Sequence, residues 1–173
     1  MSKTLGNVID PFELVKKHGA DALRYYLLRE TPPTSDGDFS ETRFKEVYNA
    51  DLANGLGNLV ARVAKLCEKV ELDSLNKSKL SKEYEELFKD FRFNDVLNNL
   101  WLEISKIDGE IEKEKPWTIK DNDKLKELLQ KWVNNINQIA FELKPFLPDT
   151  SEKIQTLFSQ AKIKPIPPLF PRI

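Results

Sequence analysis

Three groups of residues have the types and spacing to do chemistry. Asn58 and Arg62 are four apart, so on a helix they leave the same side. An Asn side chain offers a donor and an acceptor, and Arg a planar fork of five donors. Together they suit base edges and phosphates. The plainer alternative is an Arg on a helix flank, bonded to a neighbouring carbonyl or carboxylate. Trp117 follows Pro116, outside the helical period that holds Trp101 and Trp132. Such a tryptophan plugs a core or serves as a platform for an unpaired base, worth about 1–3 kcal/mol per base. Lys3 lies between Ser2 and Thr4, and a lysine flanked by small hydroxyls is a weak signal by itself.

Other chemistry finds little support. The single histidine, His18, and the single cysteine, Cys67, leave no zinc-ligand spacing, so no metal site is expected. His18 stands before Gly19 and reads as a helix C-terminal residue. Cys67 reads as a buried, inert thiol, and one cysteine fits a reducing compartment. No glycine-rich phosphate loop follows a strand. The net charge of −1 excludes a globally basic nucleic-acid binder, so any such contact uses a local patch. No run of about 20 apolar residues is present, so no membrane association is expected.

The elements that must position these residues are helical. Asp10-Pro11 gives an N-cap and first helical residue, with Phe12, Leu14 and Val15 on the apolar side and Gly19 as the stop. Residues 20–29 read as a second helix with Leu23, Tyr26 and Leu27 inward. Residues 31–40, with two prolines and Asp36-Gly37, are a loop, and Phe39 is its anchor. Ser40 caps a long helix starting near Glu41. Its apolar stripe runs Phe44, Val47, Tyr48, Leu52, Leu56, Leu59, Val63, Leu66 and Val70. A polar stripe of Asp51, Asn54, Asn58 and Arg62 runs beside it. Gly55 and Gly57 each cost this helix about 1 kcal/mol against alanine, which suggests close approach of a neighbour.

Residues 71–80 read as a polar loop. Ser81 caps a short helix to about Lys89, and Asn94 caps the next, with Val96, Leu97, Leu100, Trp101, Ile104, Ile107 and Ile111 on one face. Glu110 to Lys115 is a charge run, expected on a solvated face. Asp121 or Asp123 caps a third long helix carrying Leu125, Leu128, Leu129, Trp132, Ile136, Ile139 and Leu143. Pro145 and Pro148 end it, Ser151 begins a last helix, and a proline-rich tail packs across the bundle. Asn7-Val8-Ile9 reads as a short strand or an extended linker. The fold class is mainly α: an antiparallel helix bundle over residues 41–173, with a small irregular N-terminal connecting subdomain over 1–40.

The stretch MSKTLGNVIDPFELVKKHGADALRYYLLRE resembles the Lys-Met-Ser-Lys-Ser signature loop of class I aminoacyl-tRNA synthetases and the segment after it. Thr4 stands in place of the last Ser. GNVIDP and GADALR are similar to the methionine, valine, leucine and isoleucine branch. DGDFS (Asp36 to Ser40), NADLANGLGNLVAR (Asn49 to Arg62), KPW (Lys115 to Trp117) and PLFPRI resemble methionyl-tRNA synthetases. The resemblance implies a C-terminal fragment, in which Asn58, Arg62 and Trp117 match the family's readers of the CAU anticodon. It implies that Lys3 matches the lysine that stabilises ATP phosphates, with Mg, in the full-length enzyme. The fragment itself holds no cofactor and should be inactive alone, because the nucleotide-binding domain is absent. The implied partners are methionine-specific tRNA and the N-terminal catalytic domain of the same polypeptide, in the cytoplasm. The alternatives are a fragment of a valyl-, leucyl- or isoleucyl-type enzyme, or a helical protein-interaction module with no RNA role.

Overall fold

The computed structural model describes residues 10–31, 37–160 and 162–173. Lys3, the Asn7–Ile9 segment and Asp36 of the Asp36-Gly37 pair lie outside them. Among the described residues there are helices and connecting segments but no strand. The N-terminal pair is α1 (Pro11–His18) and α2 (Ala20–Glu30). The Asp10 side chain accepts from Phe12 N at 2.8 Å, and Gly19 at φ 86° lets the chain turn between the two helices. α3 (Glu41–Val47) begins at Ser40, whose hydroxyl accepts from Arg43 N. It runs without a break into a π-helical segment (Tyr48–Gly57) and then α4 (Asn58–Cys67). α5 (Lys82–Lys89), α6 (Phe93–Glu114), a 3₁₀ turn (Pro116–Thr118), α7 (Asn122–Leu143) and α8 (Pro148–Phe158) complete the bundle.

α7 is the central rod. Leu129, Trp132, Val133, Ile136, Ile139, Ala140 and Leu143 are all buried, and α7 packs on α4, α6 and α8. Leu59, Val63 and Cys67 of α4 and Ile104, Ile107 and Ile111 of α6 join the same core. Burial pushes the Cys67 thiol up to about 12, so it is inert at neutral pH, as its place in the sequence implies. Residues 68–81 carry no helix beyond a terminal turn. They lie along α7, with Leu72 buried and amide side chains of α7 bonding their backbone. The tail also returns to the bundle. Ile163 and Phe170 are buried, and the Phe170 ring meets Tyr48 edge-on at 5.8 Å. Asn49 clasps Ile173 through two bonds, donating to its carbonyl at 2.7 Å and accepting from its N–H at 3.1 Å.

Several sequence expectations need correction. α6 starts at Phe93 after Arg92, without a side-chain cap, rather than behind Asn94. α8 starts at Pro148, not at Ser151. Its free N–H groups are satisfied from α2, because Asp21 accepts from Thr150 N at 2.7 Å and Asp149 N at 3.4 Å. A cap supplied across the fold leaves no capping side chain next to the helix, so Pro148 at its first position is the one local sign of the start. Ser151 instead donates its hydroxyl to the Ala140 carbonyl, stapling α8 to α7. α2 turns Ala22, Tyr25 and Tyr26 inward and leaves Leu27 exposed. On α1 only Leu14 is buried; Phe12 is 81% exposed and Val15 is also open, because this helix packs chiefly on α2 alone. The long helix ends at Cys67, short of Val70.

The two glycines of the long helix lie in the π-helical segment. A Cβ on Gly55 would stand 3.3 Å from Trp101 Nε1 of α6, the close neighbour that the glycines suggest. A Cβ on Gly57 would stand 2.9 Å from the Leu52 carbonyl oxygen, a backbone atom that cannot swing aside. In an ordinary α-helix Gly→Ala stabilises; here the sign reverses. Gly57→Ala should destabilise the fold by about 1–3 kcal/mol, read from urea unfolding. A stabilised variant would contradict the close contact.

Candidate nucleic-acid interface

Asn58 opens α4 and is exposed, and Arg62 follows one turn later, half-buried. The Arg62 guanidinium spans to α6. Its Nη1 donates to Asp108 Oδ1 at 2.9 Å and its Nη2 to Glu112 Oε1 at 2.5 Å. Asp108 and Glu112 are themselves four apart, one turn up the same face of α6. The fork is therefore held open and flat, its two arms tied to two carboxylates. Asp108 lies above the usual carboxylate range, chiefly because burial disfavours its charge. Arg62 pulls it the other way.

Trp117 reaches this place by a sharp corner. α6 ends at Lys115, which sits in the left-handed region (φ 45°, ψ 60°) and donates its N–H to the Ile111 carbonyl at 3.1 Å. A non-glycine residue there stores roughly 1–3 kcal/mol. Helical backbone is also disfavoured directly before a proline. Pro116 is buried and anchors the corner. Thr118 then donates both its N–H and its hydroxyl to the Lys115 carbonyl, each at 2.8 Å. Between anchor and clamp, Trp117 projects outward, 59% exposed. By contrast Trp132 is fully buried and donates Nε1–H to Glu110 at 2.9 Å.

Arg62 and Trp117 line one open groove, together with Ala61, Lys65, Leu66 and Ile111. Its floor is apolar and its rim carries the two cations and the indole. The structure thus brings two of the sequence candidates together. Asn58 is on the same helix, one turn away, but does not line the groove. Its neighbour on the polar stripe, Asn54, accepts from Arg172 of the tail at 2.9 Å. Lys3 falls outside the described residues. Lys65, Asp108 and Glu112 were not singled out from the sequence. Lys65 has the i+3 spacing to Arg62, and the acidic pair has i+4 spacing, the signals that would have found them. Instead, residues 110–115 read as a solvated charge run, and Glu110 departs from that reading by holding Trp132 and Lys131. His18 ends α1, as expected, packed 5.2 Å from Phe44. Burial, helped by Lys17, lowers its pKa. No group of His, Cys, Asp or Glu among the described residues is placed to hold a metal ion.

Comparison with known proteins agrees with the sequence resemblance. Residues 1–64 match the family described as tRNA synthetases class I (M). The fold is that of part of a solved Mycobacterium tuberculosis methionyl-tRNA synthetase bound by methionyl-adenylate. The TM-score is 0.82 at 22% identity, over 99% of this chain and 41% of that one. Among curated proteins, the methionine–tRNA ligase of Listeria monocytogenes serotype 4b (strain F2365) is 40% identical over 89% of this chain and 26% of its own length. That of Bacillus subtilis (strain 168) is 34% identical over all of this chain and 32% of its own length. The chain is similar to a segment of these methionine–tRNA ligases and spans about a quarter of the length of the first of them.

The Arg62 bridge has a signed pH consequence. Removing the guanidinium takes away the one group that lowers Asp108, so its pKa rises further. A carboxyl whose folded pKa lies above its unfolded one destabilises the fold where it must ionise, and this penalty fades as pH falls through the folded value. Arg62→Met should therefore cost more stability near roughly pH 7 than near pH 4 in urea unfolding. An equal loss at both would show that Arg62 does not support the Asp108 carboxylate.

Proposed function

We propose that this chain carries the anticodon-recognition surface of a methionine–tRNA ligase. The observation that carries this reading is the exposed Trp117 indole sharing an open, apolar-floored groove with the Arg62 fork. Single-stranded RNA loops are recognised through unstacked bases and their exposed edges. An aromatic face supplies stacking, and a guanidinium supplies donors to a base edge or phosphate. Trp117 is the stacking platform for a base splayed out of a CAU anticodon. Arg62 and Asn58 supply the hydrogen bonds that distinguish bases, Asn58 from one turn below the groove. Lys65 adds positive charge to the rim.

The parent enzyme joins methionine to its tRNA in two steps, adenylate formation from ATP and transfer to the terminal ribose. In that enzyme Lys3 neutralises charge on the ATP phosphates, with Mg, and the N-terminal catalytic domain of the same polypeptide carries the rest of the chemistry. Residues 1–40 are the end of the signature loop and the stem-contacting connection, and residues 41–173 the anticodon-binding unit. This division concerns roles and does not require two cores, since Ala22, Tyr25 and Tyr26 of α2 lie in the same apolar cluster as the bundle. The curated relatives named above are methionine–tRNA ligases, which favours the methionine branch over the valine, leucine or isoleucine one.

Trp117→Ala should weaken binding of a CAU anticodon stem-loop by the loss of one stacked base, about 1–3 kcal/mol. In the full-length enzyme, ATP–pyrophosphate exchange should remain near its original rate. Unchanged RNA affinity would remove the stacking role and leave the protein-interaction reading in its place. Arg62→Ala should narrow the difference in affinity between CAU and other anticodons. A uniform loss for every anticodon would make Arg62 a phosphate contact. Lys3→Ala should depress adenylate formation in the full-length enzyme, and a normal rate would take Lys3 off the list of catalytic residues.

A further inference from the structure

We propose that Thr118 is a positioning residue for Trp117. Its hydroxyl bond to the Lys115 carbonyl holds the indole in the orientation that receives a base. The inference rests on the anticodon reading above and goes one residue beyond it.

The argument begins with how little otherwise holds this corner. A 3₁₀ turn of three residues does not sustain itself, because its hydrogen bonds are few and poorly aligned. The corner follows a left-handed lysine, a conformation that side-chain-bearing residues leave readily. Three restraints act on it. Pro116 is buried and fixes the entry. Ile119 N donates to the Pro116 carbonyl at 3.2 Å and closes the exit. The Lys115 carbonyl uses both lone pairs on Thr118, one for N–H and one for the hydroxyl. Trp117 lies inside this loop of bonds. Its backbone is fixed on both sides while its ring faces solvent.

Thr118 is itself exposed. Water can also satisfy its hydroxyl, so the bond adds to folding stability only the modest preference for this turn that it enforces. What the bond changes is the conformational freedom of the turn. A platform already fixed before binding loses less entropy when a base stacks on it, and the saving appears as affinity. The same corner makes Lys115 serve through its backbone: its carbonyl is the acceptor for both bonds, and its left-handed φ and ψ turn that carbonyl toward Thr118.

The test uses this chain and an anticodon stem-loop RNA with a CAU loop. Thr118→Val keeps the shape and deletes the donor, and Thr118→Ser keeps the donor. The valine variant should bind about tenfold more weakly and the serine variant within about twofold of the original. Thermal unfolding of Thr118→Ser should match the original protein, and that of Thr118→Val should report a loss no larger than the tenfold change itself, about 1.4 kcal/mol. The decisive arm is the pair with Trp117→Ala, since a residue that acts only through Trp117 has nothing left to position once the indole is gone. Thr118→Val should then change affinity by less than about twofold. A full tenfold loss in that background would mean that Thr118 contacts RNA or acts elsewhere, and would overturn the proposal. So would unchanged affinity of Thr118→Val with Trp117 present. If Trp117→Ala alone leaves affinity unchanged, the stacking reading itself falls and takes this inference with it; the two failures are thus read from different variants.

Discussion

The buried stripe of α7 is the constraint on which the rest of the bundle depends. Leu129, Trp132, Val133 and Ile136 form a rigid floor against which α4 and α6 are both pressed. Close packing lets neither helix slide without opening voids. The two helices therefore become fixed walls, and the space between their upper ends is a groove of set width. Arg62 crosses that space from one wall to the other. Trp117 stands at the end of the second wall because α6 stops where Lys115 turns left-handed. The groove is thus a product of core packing, although neither Arg62 nor Trp117 is in the core.

Electrostatics at the groove are balanced rather than strongly positive. Arg62 faces Asp108 and Glu112, and Lys65 faces Glu68 at 2.6 Å. Ion pairs this exposed contribute about 0–1 kcal/mol each. Such pairs are easily exchanged, so under the proposed reading a nucleotide edge would replace Glu112 at one arm of the fork while the better-buried Asp108 keeps the other arm in place. With a net charge of −1 the chain has no broad positive field to draw RNA in. Under the proposed reading, selection at the groove would depend on short-range fit more than on general attraction to phosphate.

Much of this fold is legible from local signals. Asp10, Ser40, Ser81 and Asp121 cap the helices that follow them, and the 3.6-residue period finds the buried faces of α4, α6 and α7. What escapes is set by distant partners. The start of α8 is capped by Asp21, more than a hundred residues earlier, and the one local sign is Pro148 at the first helical position, which also reads as the end of the helix before it. The π-helical stretch shares its apolar spacing with an α-helix and shows only in its glycines. In the site, Arg62 and Trp117 are readable as candidates from residue type and from a proline break. Their meeting across one groove, and the carboxylates that hold Arg62, depend on the packing of α4 against a helix with which it shares no local sequence.

The segment between α4 and α5 is held to α7 mostly by neutral amides, beside one exposed ion pair from Lys126 to Asp73 at 2.8 Å. Gln130, Asn134 and Gln138 accept from Asp73 N, Asn76 N and Lys79 N, and Gln138 also donates to the Lys79 carbonyl. These side chains stand four residues apart and act like the missing edge of a sheet. Because none of these three amides titrates or carries charge, acid and added salt leave their own bonds alone; the charged members of the seam are the Lys126–Asp73 pair at its start and Glu142, which accepts from Gln138, near its end. The ion-paired rim of the groove has neither immunity. The molecule therefore joins a groove whose rim is tuned by its ionic surroundings to a seam made mostly of bonds that respond to them far less.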